Sequence, residues 1–262
     1  MALAAACAAG LAVAQAGPGI TGLRPVRRSL FPALAGQGDP RHVALTFDDG
    51  PDPQATPQFM SLLAARQVHG TFFLLGEMAV RAPGLVTELA AAGHEVGVHG
   101  WRHRYLPLRG PRATYDDIAR TADLLADRTG RWPRLYRPSY GVLSGAALAA
   151  VRRLGLTPVL WGAWGREWTP GATPSSVQAC LRAHLRGGVT VLLHDSDCTS
   201  PAGSWRAALG ALPLLLDECE GRGLDVGPFG QHGGSGGRGA DGQHGPGSDG
   251  LGTGQQGPPG AG

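Results

Sequence analysis

Short, wholly apolar runs alternate with longer amphipathic runs between residues 42 and 226. Buried parallel strands are apolar on both faces, whereas helices that cover a sheet are apolar on one face. The short runs predict strands at 43–47, 71–75, 95–98, 135–136, 158–161, 189–193 and 223–226. The longer runs predict helices at 56–67, 81–92, 114–128, 144–154, 174–185 and 204–220. Six or seven such units favour a closed or nearly closed α/β barrel over a sandwich.

The segments on either side of this pattern have a different composition. Residues 1–41 form an N-terminal segment, whose first sixteen residues are apolar and rich in alanine and end in Ala14-Gln15-Ala16. That ending resembles a cleavage site, but no basic residue precedes the apolar stretch, so a secretory signal, a frayed helix and the remnant of a longer anchor all stay open. Residues 227–262 are rich in glycine and poor in apolar residues, and we expect this tail to be disordered. The domain is therefore predicted at 42–226.

Charge adds a limit on the partners. The net charge is +3, and the arginines are scattered without a block of like charge. Such a distribution does not form the basic patch that is typical of nucleic-acid binding, although it suits a mildly anionic glycan. We expect no nucleic-acid partner and no stable protein partner, and therefore a monomer.

Reactive side chains follow several of the predicted strands directly. Asp48-Asp49-Gly50 follows the first strand, His99 the third, Arg137 the fourth, and His194-Asp195 the strand at 189–193. Active sites of parallel barrels gather at the carboxyl ends of the strands. We therefore expect these separated segments to converge on one pocket.

Asp48 and Asp49 are adjacent carboxylates after an apolar strand, and burying them together is costly unless a cation or hydrogen-bond donors neutralise them. A metal ion is the simplest remedy. A capped turn is the alternative, because Asp-Gly-Pro is ordinary turn chemistry. A phosphatase-type aspartate nucleophile with magnesium is a third interpretation.

His99 and His103 have a spacing that lets two imidazoles reach the same ion. With Asp49 they would supply two nitrogens and one oxygen, which is a typical three-ligand catalytic site. The phosphatase interpretation leaves both histidines without a role. Taken alone, each histidine would more often be structural.

His194 and Arg137 are the other candidates at strand ends. His194 is a candidate general acid, against the alternative of a core histidine with a hydrogen-bond partner. Arg137 would hold Asp48 ionised and correctly oriented, against the alternative of a surface arginine.

Together these segments resemble, in order, the five motifs of the polysaccharide deacetylase family, also called the NodB-homology family or carbohydrate esterase family 4. The matching segments are Thr46-Phe47-Asp48-Asp49-Gly50-Pro51, residues 99–103, Arg137-Pro138-Ser139-Tyr140-Gly141, Glu167-Trp168 and Leu192-Leu193-His194-Asp195. The resemblance implies a distorted (β/α) barrel of about seven parallel strands with helices outside. It also implies a hydrolase that removes N-acetyl groups from chitin, chitooligosaccharides or peptidoglycan with one divalent metal ion, most simply zinc, with cobalt or another divalent ion as alternatives.

The resemblance also assigns roles to individual residues. Asp48 would be the general base, oriented by Arg137, and His194 the general acid, held in its protonated form by Glu167. The metal ligands would be Asp49, His99 and His103. The substrate-binding residues would be Pro138, Tyr140 (whose backbone amide would stabilise the oxyanion), Trp168 and Leu192.

The chain departs from the family pattern at several positions. Gly100 replaces the Ser or Thr that follows the first histidine, and Ser139 replaces a proline of the third motif. In the fourth motif Glu167 takes the place of an aspartate. Trp161 and Trp164 are extra aromatic residues near this motif, and either sugar stacking or core packing would account for them.

Other functions remain open from the sequence. A de-O-acetylase or another amidohydrolase could use the same metal and base, and a non-catalytic glycan-binding protein would fit a decayed fourth motif. The implied substrate favours the cell envelope or secretion, with the cytoplasm as the alternative.

Overall fold

A computed structural model describes residues 2–233 of the chain. Most of the predicted disordered tail therefore lies outside the described residues. The strands are β1 (His42–Asp48), β2 (Thr71–Leu75), β3 (Glu95–Gly100), β4 (Leu135–Tyr136), β5 (Thr157–Pro158), β6 (Ala163–Trp164), β7 (Thr190–His194) and β8 (Asp225–Gly227). The helices are α1 (Ala2–Ala16), α2 (Arg24–Leu30), α3 (Thr56–Ala65), α4 (Gly76–Arg81), α5 (Pro83–Ala91), α6 (Pro111–Thr129), α7 (Gly145–Arg153), α8 (Pro174–Arg182) and α9 (Trp205–Gly221).

The strands form one parallel sheet in the order β5-β4-β3-β2-β1-β7-β6, and β8 pairs with the beginning of β1. The central strands β1 and β2 are buried along their whole length. This explains their apolar sequences, since both faces are covered by other parts of the chain. The distorted (β/α) barrel is confirmed. Among residues 2–233 no pairing joins β5 to β6, so the barrel is open between these two edge strands.

The predicted strand at 158–161 is wrong in its extent. The apolar run is divided between β5, which ends at Pro158, and residues 159–162, which cross from β5 to β6. We call residues 159–162 the seam. β6 was not predicted at all, because a two-residue strand is too short to give a periodic pattern. The predicted helix at 81–92 is α5 alone, and α4 precedes it as a separate helix.

The N-terminal segment packs against the seam. Arg27 donates from Nη2 to the Trp161 carbonyl at 2.9 Å, and Arg24 donates from Nη2 to the Gly162 carbonyl at 2.6 Å. The Leu160 amide donates to the Leu34 carbonyl at 2.8 Å. Residues 24–34 therefore form an arm that holds the connection between the two edge strands.

The first helix is also attached to the barrel through one side chain. Gln15 donates from Nε2 to the Arg109 carbonyl at 2.9 Å, and its Oε1 accepts from the Ala146 amide at 3.0 Å. These bonds connect the end of α1 to the loop before α6 and to the beginning of α7. Among residues 2–233, no helix has both the length and the apolar character needed to cross a bilayer.

The folded part of the chain extends past residue 226, where the predicted domain ends. Gly227 belongs to β8, and the chain then packs beneath β1 up to residue 233. His232 and His42 share a hydrogen bond between their Nδ1 atoms at 2.9 Å, and His232 Nε2 lies 3.0 Å from the Gly36 carbonyl. These contacts anchor residues 227–233 at the amino-terminal ends of the strands, opposite the rim formed by their carboxyl ends.

Candidate metal centre and active site

The polar residues that follow the strands meet at one end of the barrel. β1 and β7 run side by side with Asp48 opposite His194 in the register. β3 and β4 pair through Val98 and Tyr136, which brings His99 and Arg137 to the same edge. Since all these strands are parallel, their carboxyl ends share one rim, and the predicted convergence is what the fold produces.

Asp49, His99 and His103 form a compact cluster. Asp49 Oδ1 lies 3.2 Å from His99 Nε2 and 3.8 Å from His103 Nε2. Ligand atoms from the three residues all lie within 4.8 Å of one another. Two ligands about 2.1 Å from a tetrahedral ion would be roughly 3.4 Å apart, so the spacing fits a shared cation.

The tautomer of His99 supports the same conclusion. Its Nδ1 lies 2.8 Å from the Arg137 carbonyl, which can only accept, so Nδ1 carries the proton. In neutral imidazole Nε2 is then a bare acceptor that faces the Asp49 carboxylate. Two acceptors so close need a proton or a cation between them. A histidine whose other nitrogen donates to a backbone carbonyl is the usual arrangement of a metal ligand.

Asp49 Oδ1 is the atom that the cluster leaves without a hydrogen bond. It is buried and has no partner among the described residues, whereas Oδ2 accepts from Thr199 Oγ1 at 2.5 Å. A buried carboxylate oxygen without a donor is costly. The residues present therefore fit a divalent cation at Oδ1.

Asp48 is held by an arginine that follows β4, although β3 and β2 lie between β4 and β1 in the sheet. Arg137 is fully buried, and its Nη1 lies 2.8 Å from Asp48 Oδ1 and 2.7 Å from Thr46 Oγ1. Its remaining nitrogens donate to the carbonyls of Val159 and Leu160 in the seam, at 3.2 and 3.3 Å. The planar guanidinium thus connects the candidate base to the seam.

His194 is paired with Glu167. His194 Nδ1 lies 2.7 Å from Glu167 Oε1, and the Trp168 ring meets the imidazole edge to face at 5.3 Å between centroids. Glu167 is 1% exposed. Burial alone would lower the pKa of His194, but the Glu167 carboxylate raises it to about 9. The imidazole is therefore kept protonated at neutral pH.

The other titratable groups respond to burial and to their neighbours. Burial alone would raise the pKa of Asp49, but the neighbouring imidazoles of His99, His194 and His103 bring it well below its usual range. Burial lowers the pKa of His103 to about 4, so this imidazole is neutral and able to ligate at neutral pH.

The predicted substrate-binding residues lie around this cluster. Tyr140 is 60% exposed and has a left-handed backbone, with φ 59°, and its ring meets that of His103 at 4.2 Å. Leu192 is 2% exposed and lies two residues before His194, on the same face of β7. Pro138 is buried and lies two residues before Tyr140.

The two extra tryptophans pack with arginines. The guanidinium of Arg27 lies 5.6 Å from the Trp161 ring centre, and that of Arg24 lies 5.0 Å from the Trp164 ring centre. Arg137 also approaches Trp161 at 5.6 Å. Core packing therefore describes Trp161 and Trp164 better than an open stacking surface does.

Sequence reasoning missed several residues of the site. Thr199, which binds Asp49, lies in a loop without periodicity, and nothing in the sequence marks it. Thr46 could have been found, because it precedes Asp48 by two residues and therefore shares its face of β1. Asp195 is marked by the sequence as following a strand but receives no role there; it is fully buried, accepts from Thr56 Oγ1 at 2.5 Å, and has its pKa raised by burial to about 7.

The fold and the site define a class: parallel α/β barrels with a candidate metal centre at the carboxyl ends of the strands. The sequence model of the polysaccharide deacetylase family matches residues 35–159. A chitooligosaccharide deacetylase from a Bradyrhizobium species is 32% identical over 77% of this chain and 96% of its own length. The chain belongs to the polysaccharide deacetylase family.

Two further comparisons add detail. The peptidoglycan-N-acetylglucosamine deacetylase PgdA of Listeria monocytogenes is 32% identical over 71% of this chain, and the match spans 40% of that longer protein. Among solved structures, a family 4 carbohydrate esterase from Streptomyces lividans in complex with acetate has a TM-score of 0.64 and 29% identity. That match covers 72% of this chain and 93% of the esterase.

Proposed function

We propose that this chain is a metal-dependent hydrolase that removes N-acetyl groups from a glycan containing N-acetylglucosamine, either a chitooligosaccharide or peptidoglycan. The observation that carries the proposal is the Asp49, His99 and His103 cluster, with the Asp48–Arg137 and His194–Glu167 pairs at the same rim. The relatives named for such deacetylation support the choice of substrate. Their substrates also favour the cell envelope or an extracellular location.

Amide hydrolysis needs an activated water, a place for charge on the carbonyl oxygen and a proton for the departing amine. A divalent ion held by Asp49, His99 and His103, most simply zinc, would lower the pKa of water and polarise the substrate carbonyl. Asp48 would accept the proton of the attacking water, and the Arg137 guanidinium holds that carboxylate in place through a charge-assisted hydrogen bond. The Tyr140 amide would donate to the developing oxyanion.

His194 would then protonate the departing amine. Its contact with Glu167 keeps the imidazolium form populated at neutral pH, which a general acid requires. Trp168 and Leu192 would line the space that receives the acetyl methyl. Base and acid are therefore separate groups in this mechanism, each fixed by its own buried partner.

Mass spectrometry of chitotetraose and muropeptides incubated with the zinc-supplied protein tests the proposal. We expect loss of acetyl mass, no turnover after chelation, and a kcat lowered roughly a hundredfold or more in Asp48→Asn. Asp123→Asn, an exposed aspartate on α6, is the matched control and should keep full activity. Acetate release from acetylated xylan, without any from chitotetraose, would instead identify a de-O-acetylase.

The metal has a separate readout. We expect His99→Ala to lose zinc binding in calorimetric titration while the protein stays folded by circular dichroism. Wild-type protein that is folded and binds no divalent ion would contradict the metal-dependent mechanism.

A further inference from the structure

A cavity opens beside the metal cluster. It has a volume of about 430 Å³, and His103 and Thr199 form part of its wall. Thr199 also donates to Asp49, so the cavity and the metal site share a wall. Its size is within the range of about 300–1,000 Å³ that is typical of ligand-binding pockets. A sugar next to the one whose acetyl group lies at the metal site could therefore enter this cavity.

The charges around this cavity are unbalanced. Arg81, Arg102 and Arg104 line it, and Glu77 is the acidic residue of the lining. Glu77 is already paired with Arg102, at 3.4 Å between Oε2 and Nε. In the described part of the chain, neither Arg81 nor Arg104 has a carboxylate within 4.0 Å, and Arg81 Nη1 instead approaches the Met78 sulfur at 3.8 Å. We call this cavity the arginine pocket.

The positions of these three arginines along the chain place them next to the metal cluster. Arg102 and Arg104 are the residues on either side of His103, in the loop that follows β3. Arg81 ends α4, which follows β2. Since β2 and β3 are neighbours in the sheet, both loops lie on the rim that carries the metal cluster. The positive charge is therefore a fixed feature of this rim.

We propose that the arginine pocket binds a carboxylate on a sugar next to the one that is deacetylated, so that the protein prefers an acidic glycan to a neutral one. This inference rests on the proposed function and specifies its substrate class. A guanidinium can bind a carboxylate through two parallel hydrogen bonds, which fixes orientation as well as charge. Peptidoglycan supplies such a carboxylate on N-acetylmuramic acid wherever the stem peptide is absent, because the peptide is attached through that carboxyl group, whereas a chitooligosaccharide has none.

Parallel kinetics on three substrates test this. They are chitotetraose, a peptide-free tetrasaccharide of alternating N-acetylglucosamine and N-acetylmuramic acid, and the same tetrasaccharide with stem peptides. We expect wild-type kcat/KM to favour the peptide-free acidic substrate over chitotetraose, and the ratio of these two values to fall about tenfold in Arg81→Gln/Arg104→Gln. Increasing salt should lower this ratio in the wild type, because the arginines are exposed. The two acidic substrates separate a sugar carboxylate from a peptide carboxylate.

Arg41→Gln/Arg131→Gln is the matched control. Both residues are exposed and precede strands, which places them at the opposite end of the barrel, and the double variant removes the same charge. The control should keep the wild-type ratio. An equal ratio in wild type and Arg81→Gln/Arg104→Gln would overturn the inference, while acetate release from chitotetraose would leave the proposed function standing.

A binding measurement distinguishes failure of the arginine-pocket inference from failure of the proposed function. In the Asp48→Asn background, calorimetry with the peptide-free acidic tetrasaccharide should give a Kd about tenfold weaker when Arg81 and Arg104 are both replaced by glutamine. Unchanged binding would overturn the arginine pocket even in a protein with no measurable turnover. Absence of acetate release from every glycan would count against the proposed function alone.

Discussion

Glu167 has one methylene more than the aspartate of the family's fourth motif, yet its carboxylate lies directly against His194. Two local features make room for it. Gly165 has no side chain, and a Cβ there would approach Glu167 Oε2 to 2.7 Å. Arg166, between them, adopts a left-handed backbone with φ 58°. The backbone conformation of Gly165 and Arg166 therefore makes room for the longer Glu167 side chain.

Glu167→Gln should shift the alkaline limb of the pH profile of kcat/KM. The general acid must be protonated, so activity falls as pH rises through the pKa of His194, which Glu167 raises to about 9. Without the carboxylate this pKa falls, and the alkaline limb moves to lower pH. Glu88→Gln, an exposed change of the same kind on α5, should leave the limb in place. An alkaline limb that does not move would remove His194 as the acid.

Thr199 is a residue that acts on the metal site through Asp49. Replacing Thr199 by valine removes the hydroxyl that donates to Asp49 Oδ2, and losing such a supporting hydrogen bond typically costs about tenfold or more in metal affinity. We expect weaker zinc binding in calorimetric titration of Thr199→Val. Thr199→Ser keeps the hydroxyl and should bind zinc as the wild type does. Equal affinities in the two variants would contradict this role.

Single site residues can be predicted from the sequence where they stand at the ends of strands. Asp48, Asp49, His99, Arg137 and His194 are predictable as candidates because each stands at the end of an apolar run, and the fold brings them to one rim. Thr199 belongs to the irregular stretch between β7 and α9, where neither periodicity nor spacing indicates contacts. The apolar pattern thus predicts residues at strand ends, whereas Thr199, in a loop that carries none of the family motifs, is missed.

At the scale of elements, the loop after β3 depends on a glycine. Gly100 ends β3 with φ 104°, a conformation that residues with a side chain rarely adopt. A Cβ at this position would lie 2.8 Å from Asp117 Oδ2, which accepts from the Trp101 amide at 2.7 Å. Glycine replaces the family's Ser or Thr at position 100 because Asp117 of α6 binds this loop closely and leaves no room for a side chain.

Gly100→Ser should destabilise the protein by about 2 kcal/mol, because a side chain at this φ is strained and crowds Asp117. Thermal unfolding measures the effect. Gly110→Ser is the matched control, since Gly110 precedes α6 with φ −67° and has open space around it. A serine there can cap the helix and should leave stability unchanged or slightly higher. Equal melting temperatures for the two variants would contradict the argument.

The predicted elements and the observed ones differ where the segments are short. Long amphipathic runs predicted α3, α6, α7, α8 and α9 with small differences at their ends. The pair β5 and β6 was not separable, because two-residue strands carry no period. Pro158 ends β5, and the apolar residues after it belong to the seam. Only the sheet neighbours, which are distant in sequence, decide where such strands lie.

At the scale of the whole molecule, the seam is held from two sides. Arg137 donates to the carbonyls of Val159 and Leu160, and Arg27 of the arm donates to that of Trp161. Arg27 is 2% exposed and has no carboxylate within 4.0 Å in the part of the chain described. Burial, with Arg24 and Arg137 nearby, lowers its pKa to about 10. Arg27 therefore stabilises the fold through its hydrogen bonds to backbone carbonyls and its contact with the Trp161 ring.

Arg27→Met should lower the free energy of unfolding by about 2 kcal/mol, because the carbonyls of Thr21 and Trp161 lose their donors inside the protein. Urea unfolding measures it. Arg28→Met changes the exposed neighbour on α2 and should have little effect. If both variants unfold at the same urea concentration as the wild type, the arm does not stabilise the seam.

An open barrel has two edge strands whose unpaired backbone groups can template another chain, and long exposed edges invite aggregation. In this molecule both edges are very short, at two residues each, and the connection between them has its carbonyls occupied by guanidinium groups. Little free backbone is left there for a foreign strand. The arginines of the arm thereby occupy backbone acceptors that an incomplete ring would otherwise leave exposed, without closing the ring.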